Sequence, residues 1–401
     1  MNGATVLTNL KGLLTPDPIS PWKVDRIDDA AIAMAEGRIA WIGRRADLPS
    51  DWSDSPVIDG LGAWAMPGFI DPHTHLLFAG DRSGEFNRRL HGVPYAQIAA
   101  EGGGIRETVR ATRAASVEEL VEAGEERLKI LRSRGVIHIE AKTGYGLELE
   151  GESRLLKAYQ VLKEKGWSMD VTLLPAHDIP QEFAGDPEGY SQVVAEVWLP
   201  ELVRRHPGVA RYCDVFIEAG VFTVDQGRRI FEAGRKLGLQ PRIHADELSW
   251  TGGAELAAEL GAASADHLMF CSDQGMKAMA AANVTPILLP TTTLCLGMRD
   301  WAPARKMIEA GCRLALASDF NPGSSPCLDP LLVLRLGCLQ LRLTFEEALT
   351  AMTLHAARSL GQEDIGHLHP GARGPIALWP VNDPLALVYW VGEAYIPVMT
   401  P

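Results

Sequence analysis

Short apolar runs alternate with amphipathic stretches along most of the chain from residue 135 onward. The runs are rich in Val, Ile and Leu, as the buried strands of parallel sheets are, and the stretches between them repeat apolar residues at helical spacing. This alternation predicts repeated βαβ units. Including one run before residue 135, the predicted strands span residues 68–75, 135–142, 170–177, 212–220, 239–244, 263–268, 284–290 and 313–319.

Capping boxes mark helix starts between these strands. In a capping box, a hydroxyl side chain and a Glu or Gln three residues later satisfy free N–H groups of the first helical turn. Three pairs have this spacing: Ser116 with Glu119, Thr223 with Gln226, and Thr344 with Glu347. Eight strands with intervening helices match a closed (β/α)8 barrel, whereas an open doubly wound sheet usually has about five or six strands. We therefore predict an α/β fold built on a TIM-type barrel.

The two ends of the chain have a different pattern. Residues 5–10, 31–36 and 38–42 form short strand-like pieces between turn-rich segments, and residues 376–379 and 387–390 repeat that character. Chain termini often lie close together, so the simplest topology pairs them into one small β-sandwich. We expect residues 1–65 plus 361–401 to form this sandwich and residues 66–360 to form the barrel.

Composition narrows the class of protein further. The chain has 401 residues, of which 46% are apolar, and a formal net charge of −13 at pH 7. Nucleic-acid binding needs a basic surface, so this charge argues against a nucleic-acid partner. The six cysteines show no Cys-x-x-Cys pairing, which predicts buried thiols in a reducing compartment. No segment resembles a signal peptide or a membrane span, so we expect a cytoplasmic protein without membrane contact.

Two histidines, His73 and His75, stand two residues apart at the end of the first predicted strand. Residues at this spacing on a strand project from the same face, so both imidazoles could bind one ion. Taken alone, the pair is equally well explained as two unrelated polar residues. Later strand ends carry further histidines and carboxylates: His177, His244, Glu247, His267 and Asp319.

These residues share a position, because active sites of barrel enzymes lie at the C-terminal ends of the strands. Any one of them alone is more often a hydrogen-bonded core residue or a helix cap. Their recurrence on several strand ends favours a metal site. Imidazoles and a carboxylate suit Zn²⁺ or Fe²⁺ better than Mg²⁺ or Ca²⁺, and such an ion lowers the pKa of water from about 15.7 toward about 7. The pattern predicts a metal-dependent hydrolase.

Several motifs resemble those of one enzyme family. The segment 66–75, which reads Met-Pro-Gly-Phe-Ile-Asp-Pro-His-Thr-His, resembles the first-strand signature of the amidohydrolase superfamily. Later motifs, in matching order, are similar to those of the imidazolonepropionase family. They are Gly-Gly-Gly-Ile at 102–105, Lys-Thr-Gly-Tyr-Gly-Leu at 142–147, His-Ala-Asp-Glu at 244–247, Ser-Ala-Asp-His-Leu at 264–268 and Ser-Asp-Phe-Asn-Pro-Gly at 318–323.

This resemblance implies a reaction and a metal site. The reaction is hydrolytic opening of 4-imidazolone-5-propanoate to N-formimidoyl-L-glutamate, in histidine degradation. One divalent ion, Zn or Fe, would be held by His73, His75, His244 and Asp319. Asp319 would also orient or deprotonate the attacking water, Glu247 would shuttle protons to the departing nitrogen, and His267 would stabilise the developing oxyanion.

The resemblance also implies a set of substrate contacts: Arg82, Tyr145, His177, Glu247, Asn321, Gly323 and Ser324. Arg82 would offer a guanidinium fork to the propanoate carboxylate, although an exposed surface arginine is the ordinary reading of such a residue. Tyr145 and His177 would hydrogen-bond the ring or its side chain. The last three residues of the set would orient the glutamate end of the product.

Some positions have a less certain role or depart from the family pattern. Lys142 could be the carboxylated lysine that bridges two metals in some amidohydrolases, but its motif is similar to that of a one-metal family, so a salt bridge or a substrate-side role is favoured. His91 stands where a glutamine is more usual, and it could alter the entrance loop. The segments 289–294 and 374–377 also differ from the family.

Two other functions stay open at this stage. A different cyclic-amide or deaminating amidohydrolase would share the metal shell, so Arg82 and Tyr145 are the discriminating residues. A noncatalytic metal-binding scaffold would keep the barrel, but it would not need an acid such as Glu247 beside an open coordination position. The family resemblance implies that the protein is a homodimer. It also implies that the protein binds a small-molecule substrate, 4-imidazolone-5-propanoate.

Overall fold

The computed structural model describes residues 3–93, 97–98 and 101–400, which form two β-sheets. In chain order the strands are β1 (Thr5–Pro16), β2 (Val24–Asp28), β3 (Ala30–Ala35), β4 (Arg38–Arg44), β5 (Val57–Pro67), β6 (Phe69–Thr74), β7 (Val136–Lys142), β8 (Met169–Ala176), β9 (Tyr212–Ile217), β10 (Gln240–Ala245), β11 (Ser264–His267), β12 (Thr285–Leu288), β13 (Ala315–Leu316), β14 (Ile376–Trp379) and β15 (Val398–Met399).

Strands β6 to β13 form an eight-stranded parallel sheet in which each strand lies beside the next one in the chain. Each of the eight predicted runs overlaps one of these strands, and the observed strands β8 and β10 each extend one residue beyond their runs. Burial explains why the runs are apolar rather than alternating. In β8 all eight residues are buried, because a barrel strand is covered on both faces. The predicted TIM-type barrel is confirmed.

Backbone contacts between β6 and the segment after β13 bring the two ends of the barrel sheet together. Asp319 N donates to His73 O at 3.1 Å, and His75 N donates to Phe320 O at 2.9 Å. Thr74 and Phe320 form a parallel bridge at the same place. The end of the first barrel strand is therefore beside the residue that follows the last one.

Helices surround the barrel, and all three predicted capping boxes are present at their starts. Among the described helices, none has the length and apolar character needed to cross a membrane. The helices span Ser83–Leu90, Ile105–Ala114, Val117–Ser133, Leu149–Glu164, Pro187–Val193, Leu199–Arg205, Val224–Lys236, Gly253–Leu260, Asp273–Ala282, Pro290–Cys295, Ala304–Glu309, Pro330–Leu339, Phe345–Ala351, Leu354–Ser359 and Ala386–Tyr389.

The second sheet joins the two ends of the chain. Its central strand β5 pairs in parallel with β1 and antiparallel with β14, so that Trp64 lies opposite Trp379. Leu7, Ile32 and Leu378 pack in a small core of this sheet. Since a single residue, Gly68, separates the end of β5 from the start of β6, this sheet leads directly into the barrel.

The strand predicted at residues 387–390 is wrong, because this segment belongs to the short helix Ala386–Tyr389 and the turn after it. The buried side chain of Arg335 explains the difference. Its guanidinium donates to the carbonyl oxygens of Leu387, Trp390 and Glu393 at 2.9, 3.2 and 2.7 Å. These carbonyl oxygens therefore accept hydrogen bonds from an arginine side chain rather than from the backbone of a neighbouring strand.

Candidate active site

The four predicted metal ligands lie buried at the C-terminal ends of barrel strands. His73 belongs to β6 and His75 follows that strand directly, whereas His244 belongs to β10. Asp319 follows β13 and is brought beside β6 by the backbone contacts described above. Residues far apart in the chain thus meet at one end of the barrel.

The distances between these side chains fit a metal ion. Asp319 Oδ1 lies 3.4 Å from His73 Nε2 and 3.4 Å from His75 Nε2. The rings of His73 and His244 are 4.6 Å apart between centroids. Among the described residues, neither His73 Nε2 nor His244 Nε2 has a hydrogen-bond partner, although both atoms are buried. Such orphaned nitrogens are rare, and beside a carboxylate they suit a divalent cation such as zinc or iron.

Two further histidines, His177 and His267, lie close to the same cluster. Within the described parts of the chain, potential ligand atoms lie within 4.8 Å of one another in three overlapping groups. These are His73 with His244 and His267, His75 with His177 and His244, and His73 with His75 and Asp319. The structure therefore brings the four predicted ligands into overlapping groups, with His177 and His267 beside them.

Two buried aspartates orient the ligand histidines. Asp266 Oδ2 lies 2.6 Å from His73 Nδ1, and Asp214 Oδ2 lies 2.9 Å from His244 Nδ1. The hydrogen bond at Nδ1 of His73 fixes that ring so that Nε2 faces the cluster, which is how proteins commonly orient metal-binding histidines. The contact at His244 Nδ1 is an ion-pair distance without hydrogen-bond geometry, and Asp214 instead holds the backbone of His244 by accepting from its N at 3.1 Å. No local sequence signal marks Asp214 for this role, and Asp266 lies in the motif Ser-Ala-Asp-His-Leu, to which no role for the aspartate was assigned.

Lys142 holds these aspartates together. Its Nζ lies 2.9 Å from Asp214, 3.0 Å from Glu140 and 3.6 Å from Asp266, and all four side chains are fully buried. An ammonium group surrounded by three carboxylates is an ion pair partner rather than a carboxylated metal ligand. The structure thus favours the salt-bridge alternative for Lys142 over a two-metal centre.

Asp319 is itself held by two neighbouring segments. Thr292 Oγ1 donates to Asp319 Oδ2 at 2.6 Å, which leaves Oδ1 facing the histidines. Asp71 accepts hydrogen bonds from Ser318 Oγ at 2.5 Å and from Ser318 N at 3.1 Å, and it thereby fixes the segment that carries Asp319. The segment 289–294, which departs from the family pattern, therefore contributes directly to the cluster through Thr292.

The predicted acid Glu247 and the predicted oxyanion group His267 face each other. Glu247 Oε2 lies 3.5 Å from His267 Nε2. Burial raises the pKa of Glu247 to about 8, and the carboxylates of Asp319 and Glu218 reinforce this shift. Burial lowers the pKa of His267 to about 4. At neutral pH the carboxyl group is therefore protonated and the imidazole is neutral.

The backbone at two of these residues is unusual. His267 has a φ of 76° and Asp319 has a φ of 50°, so both lie in the left-handed region that residues other than glycine seldom adopt. Conformations of this kind persist where the surrounding structure enforces them, and they concentrate at functional sites. Ten other described residues besides glycine share this conformation, so it does not by itself single out this end of the barrel.

A cleft of about 720 Å³ opens above the cluster. All the predicted substrate-binding residues line it: Arg82, Tyr145, His177, Glu247, Asn321, Gly323 and Ser324. Sequence reasoning missed Arg89, Arg106 and Phe216, which line it too. The cleft has the size of a small-molecule site, and it joins the metal cluster to an arginine-rich wall.

Arg82 is positioned by Glu85 and by the close approach of Gly323. Its Nη2 donates to Glu85 Oε1 at 2.6 Å, and Glu85 Oε2 accepts from Gly104 N at 2.8 Å. A Cβ atom at residue 323 would overlap the guanidinium of Arg82. Gly323 therefore makes room for this arginine, and the glycine-rich motif at 102–105 anchors the acid that holds it.

The loop that carries Tyr145 is shaped by a buried carboxylate. Glu152 accepts hydrogen bonds from Gly146 N at 2.8 Å and Leu147 N at 2.9 Å. His177 Nδ1 lies 3.0 Å from Gly144 O, so it donates there and directs Nε2 elsewhere. Burial lowers the pKa of His177 to about 3, with a further contribution from nearby His75. His177 thus offers a neutral ring to the cleft.

Asn321 shapes the loop that it belongs to. Its Oδ1 accepts from Gly323 N at 2.8 Å and from Ser324 N at 2.7 Å, while its Nδ2 donates to Asp319 O at 2.7 Å. The amide is therefore engaged within the segment 319–325. This geometry supports a role for Asn321 in holding Gly323 and Ser324 in place beside the cleft.

His91 lies at the edge of this region. It is exposed at the end of helix Ser83–Leu90, and its Nδ1 lies 2.9 Å from Asn87 O. The effect of His91 on the entrance loop stays a prediction, because residues 94–96 and 99–100, which follow it in the chain, lie outside the described residues.

A comparison with known families agrees with this fold. The family model described as "Amidohydrolase family" matches residues 64–395. The chain belongs to this family, whose match spans both the metal cluster and the substrate cleft.

Similar curated proteins define the chain more narrowly. The imidazolonepropionase of Myxococcus xanthus is 46% identical over 92% of this chain and 88% of that protein. The imidazolonepropionase of Symbiobacterium thermophilum is 44% identical, with 94% of this chain and 91% of that protein covered. Within the amidohydrolases, the chain belongs to the imidazolonepropionase family and is a hydrolytic enzyme.

Solved structures of more distant proteins share the fold. An N-isopropylammelide isopropylaminohydrolase from Burkholderia multivorans superimposes with a TM-score of 0.69 at 20% identity, covering 96% of this chain and 94% of that one. A guanine deaminase from C. acetobutylicum gives a TM-score of 0.68 at 15% identity and 99% coverage of both chains. At these identities the likeness extends to the fold alone.

Proposed function

We propose that this chain hydrolyses 4-imidazolone-5-propanoate to N-formimidoyl-L-glutamate, using the residues at the C-terminal end of its barrel. One observation carries the proposal. A single cleft joins a cluster of histidines and Asp319 to a wall bearing Arg82, which suits a small ring with a carboxylate tail. The similarity to proteins named imidazolonepropionase supports the same substrate.

We propose that His73, His75, His244 and Asp319 hold one divalent ion, zinc or iron. The orphaned Nε2 atoms of His73 and His244 and the nearby Asp319 Oδ1 support this ligand set. An ion bound there would polarise the ring carbonyl and lower the pKa of a water molecule toward neutrality. The ion pairs of Lys142 support one ion rather than two.

Side chains of the protein orient the attacking water and transfer protons during the reaction. Asp319 is held near the proposed attacking water and orients it or takes its proton. Glu247, which is protonated at neutral pH, gives a proton to the departing ring nitrogen as the bond from that nitrogen to the C4 carbonyl carbon breaks. His267, neutral and 3.5 Å from Glu247, stabilises the oxygen of the tetrahedral state by hydrogen bonding.

The opposite wall of the cleft binds the substrate's tail. Arg82 pairs with the propanoate carboxylate, as a guanidinium fork matches a carboxylate in charge and shape. Tyr145 and His177 contact the imidazolone ring of the substrate, because both lie close to His75 and to each other. The ring centroid of Tyr145 is 5.8 Å from that of His75 and 5.3 Å from that of His177. The backbone around Gly323 and the Ser324 hydroxyl orient the glutamate end of the product.

We propose that this enzyme is cytoplasmic, since its six cysteines are free, and that it is a homodimer, on the basis of the family expectation. Light scattering coupled to size-exclusion chromatography would measure its mass in solution. A mass near twice 43.5 kDa supports the dimer, and a mass near 43.5 kDa rejects it.

A direct assay tests the substrate. The ultraviolet absorbance of 4-imidazolone-5-propanoate should decrease on addition of the purified protein, and mass spectrometry should identify N-formimidoyl-L-glutamate as the product. A deaminating amidohydrolase would instead release ammonia from aminated heterocycles such as guanine. Turnover of those compounds with no loss of the imidazolone would reject the proposal.

A further inference from the structure

Two arginines approach Gly323 from the same helical segment. Arg82 lies at the start of helix Ser83–Leu90 and Arg89 near its end, and both line the cleft. The Arg82 guanidinium occupies the space that a side chain at residue 323 would need. Arg89 Nη2 lies 3.5 Å from Gly323 O, at the outer limit of a hydrogen bond. Two positive groups therefore converge on one short stretch of backbone.

The three arginines of this segment differ in their partners. Arg82 is paired with Glu85, and Arg88 is paired with Glu101. In the described part of the chain, Arg89 forms no ion pair, and its buried Nε has no hydrogen-bond partner. Buried guanidinium donors without an acceptor are rare, so a missing acceptor is expected at Arg89.

We propose that Arg89 is a second carboxylate-binding residue, which works with Arg82 to select substrates that carry an anionic tail. The inference rests on the proposed function, because it assigns Arg89 to the same propanoate carboxylate. A carboxylate has two oxygens and about four acceptor positions, so it can accept from two guanidinium groups at once. Glu85 is near enough to interact with the charge of Arg89, but this acid is paired with Arg82, and Arg89 forms no ion pair among the described residues. A carboxylate ligand would complement the charge of Arg89.

The position of Arg89 determines whether its substitution changes KM or kcat. Arg89 is placed to contact the tail of the substrate, far along the molecule from the reacting carbonyl. A contact that is equally strong in the bound substrate and in the transition state changes KM and leaves kcat nearly constant. Loss of Arg89 should therefore raise KM selectively, whereas damage to the metal cluster should lower kcat.

The test compares Arg89→Met and Arg89→Lys with the control Arg88→Met, which removes the neighbouring arginine of the same helix. Two competitive inhibitors serve as probes: imidazole-4-propanoate, which has the carboxylate, and 4-methylimidazole, which lacks it. Arg89→Met should raise the KM for the imidazolone and the Ki of the propanoate probe by about 10- to 100-fold, the value of a charge-assisted contact. The Ki of 4-methylimidazole should stay within about twofold of the wild-type value, and Arg89→Lys should lose less affinity than Arg89→Met.

Other outcomes overturn the inference. If Arg89→Met weakens both probes equally, or weakens the propanoate probe no more than Arg88→Met does, Arg89 does not recognise the carboxylate. Metal content and thermal melting of each variant show whether it is folded, and Arg89→Lys gives the comparison if Arg89→Met is not. If wild-type protein leaves the imidazolone intact, the proposed function fails, while the dissociation constants of the two probes, measured directly by isothermal titration calorimetry, still decide whether Arg89 selects anions.

Discussion

The floor of the cleft, where we propose that a metal binds, and the wall that carries Arg82 and Arg89 are built in different ways. On the floor, each of two ligand histidines has a buried aspartate at Nδ1: Asp266 lies 2.6 Å from His73, and Asp214 lies 2.9 Å from His244. On the wall, Arg89 keeps a buried donor without a partner in the described structure. The floor is thus ordered by the barrel's own residues, whereas the wall is completed by a ligand.

Two cations show the same contrast. Lys142 is fully buried and has three carboxylates within 3.6 Å, so its charge is compensated by the protein. Arg89 is only partly buried and has no described carboxylate within ion-pairing distance. An unpaired charge is unfavourable in a protein interior, so a fully buried cation needs carboxylate partners from the protein. A partly exposed cation at a cleft wall can instead be paired by a bound substrate. A cation whose charge is not paired within the protein is therefore the one expected to bind a ligand.

The largest expected effect comes from removing the acid on the floor. Glu247→Gln should lower kcat by about 10² to 10⁴, because general acid catalysis contributes that much. The variant should keep its metal, since Glu247 is outside the proposed ligand set. Steady-state kinetics together with metal analysis measure both quantities. A variant that retained full activity would remove Glu247 from the proton pathway.

Removing the buried cation Lys142 should weaken the positioning of the proposed metal ligands without changing any of them. Lys142→Met leaves three buried carboxylates without their shared partner, so Asp266 and Asp214 should hold the histidines less firmly. We expect metal affinity to decrease by about 10- to 100-fold, as for other residues that orient ligands. Competition with a chelator measures this affinity. Lys129→Met, at an exposed lysine of helix Val117–Ser133, is the control and should bind metal like the wild type. Equal affinities for the two variants would contradict the role of Lys142.

The pH dependence of the reaction should report the state of Glu247. Because burial raises its pKa to about 8, the carboxyl group is protonated below that pH and can donate its proton. As pH rises through 8, the acid form is lost, and kcat/KM should fall by roughly tenfold for each further unit. A pH profile recorded from 6 to about 10 checks this limb. Activity that instead rises over this range would show that Glu247 acts first as a base.

The smallest of these effects is expected at Thr292, which holds one oxygen of Asp319. Thr292→Val removes a single hydrogen bond, and a loss of about 1 kcal/mol corresponds to about fivefold weaker metal binding. Thr293→Val is the matched control, because the hydroxyl of Thr293 lies 3.2 Å from Met269 Sδ rather than beside a ligand. Isothermal titration with zinc would compare the two variants. A larger loss in Thr293→Val would show that the helix, and not the hydroxyl, is responsible.

Local patterns in the sequence were enough to predict the barrel and to locate its active end. The eight apolar runs predicted buried parallel strands, and the two-residue spacing of His73 and His75 placed both on one strand face. Strand ends meet at one edge of a parallel barrel, so His244 and Asp319 could be expected there as well. The roles of individual substrate-binding residues came from motif resemblance and stay predictions, although the residues line one cleft.

Pairings across the barrel could not be predicted in this way. Nothing in the neighbourhood of Asp214 along the chain indicates that it meets Lys142, which is 72 residues away. The helix at 386–389 was missed for the same reason, because the arginine that binds its carbonyl groups comes from helix Pro330–Leu339, more than 50 residues earlier. Such contacts depend on the folded geometry, and local periodicity contains no information about them.

The central claim is that one ion, held by His73, His75, His244 and Asp319, makes this barrel an imidazolone hydrolase. The most direct measurement is a titration of metal-depleted protein with zinc or ferrous iron while the formation of N-formimidoyl-L-glutamate from 4-imidazolone-5-propanoate is recorded. Activity should rise linearly with added metal and stop rising at one equivalent per chain. Activity that needs two equivalents, or that is complete in metal-free protein, would contradict the account.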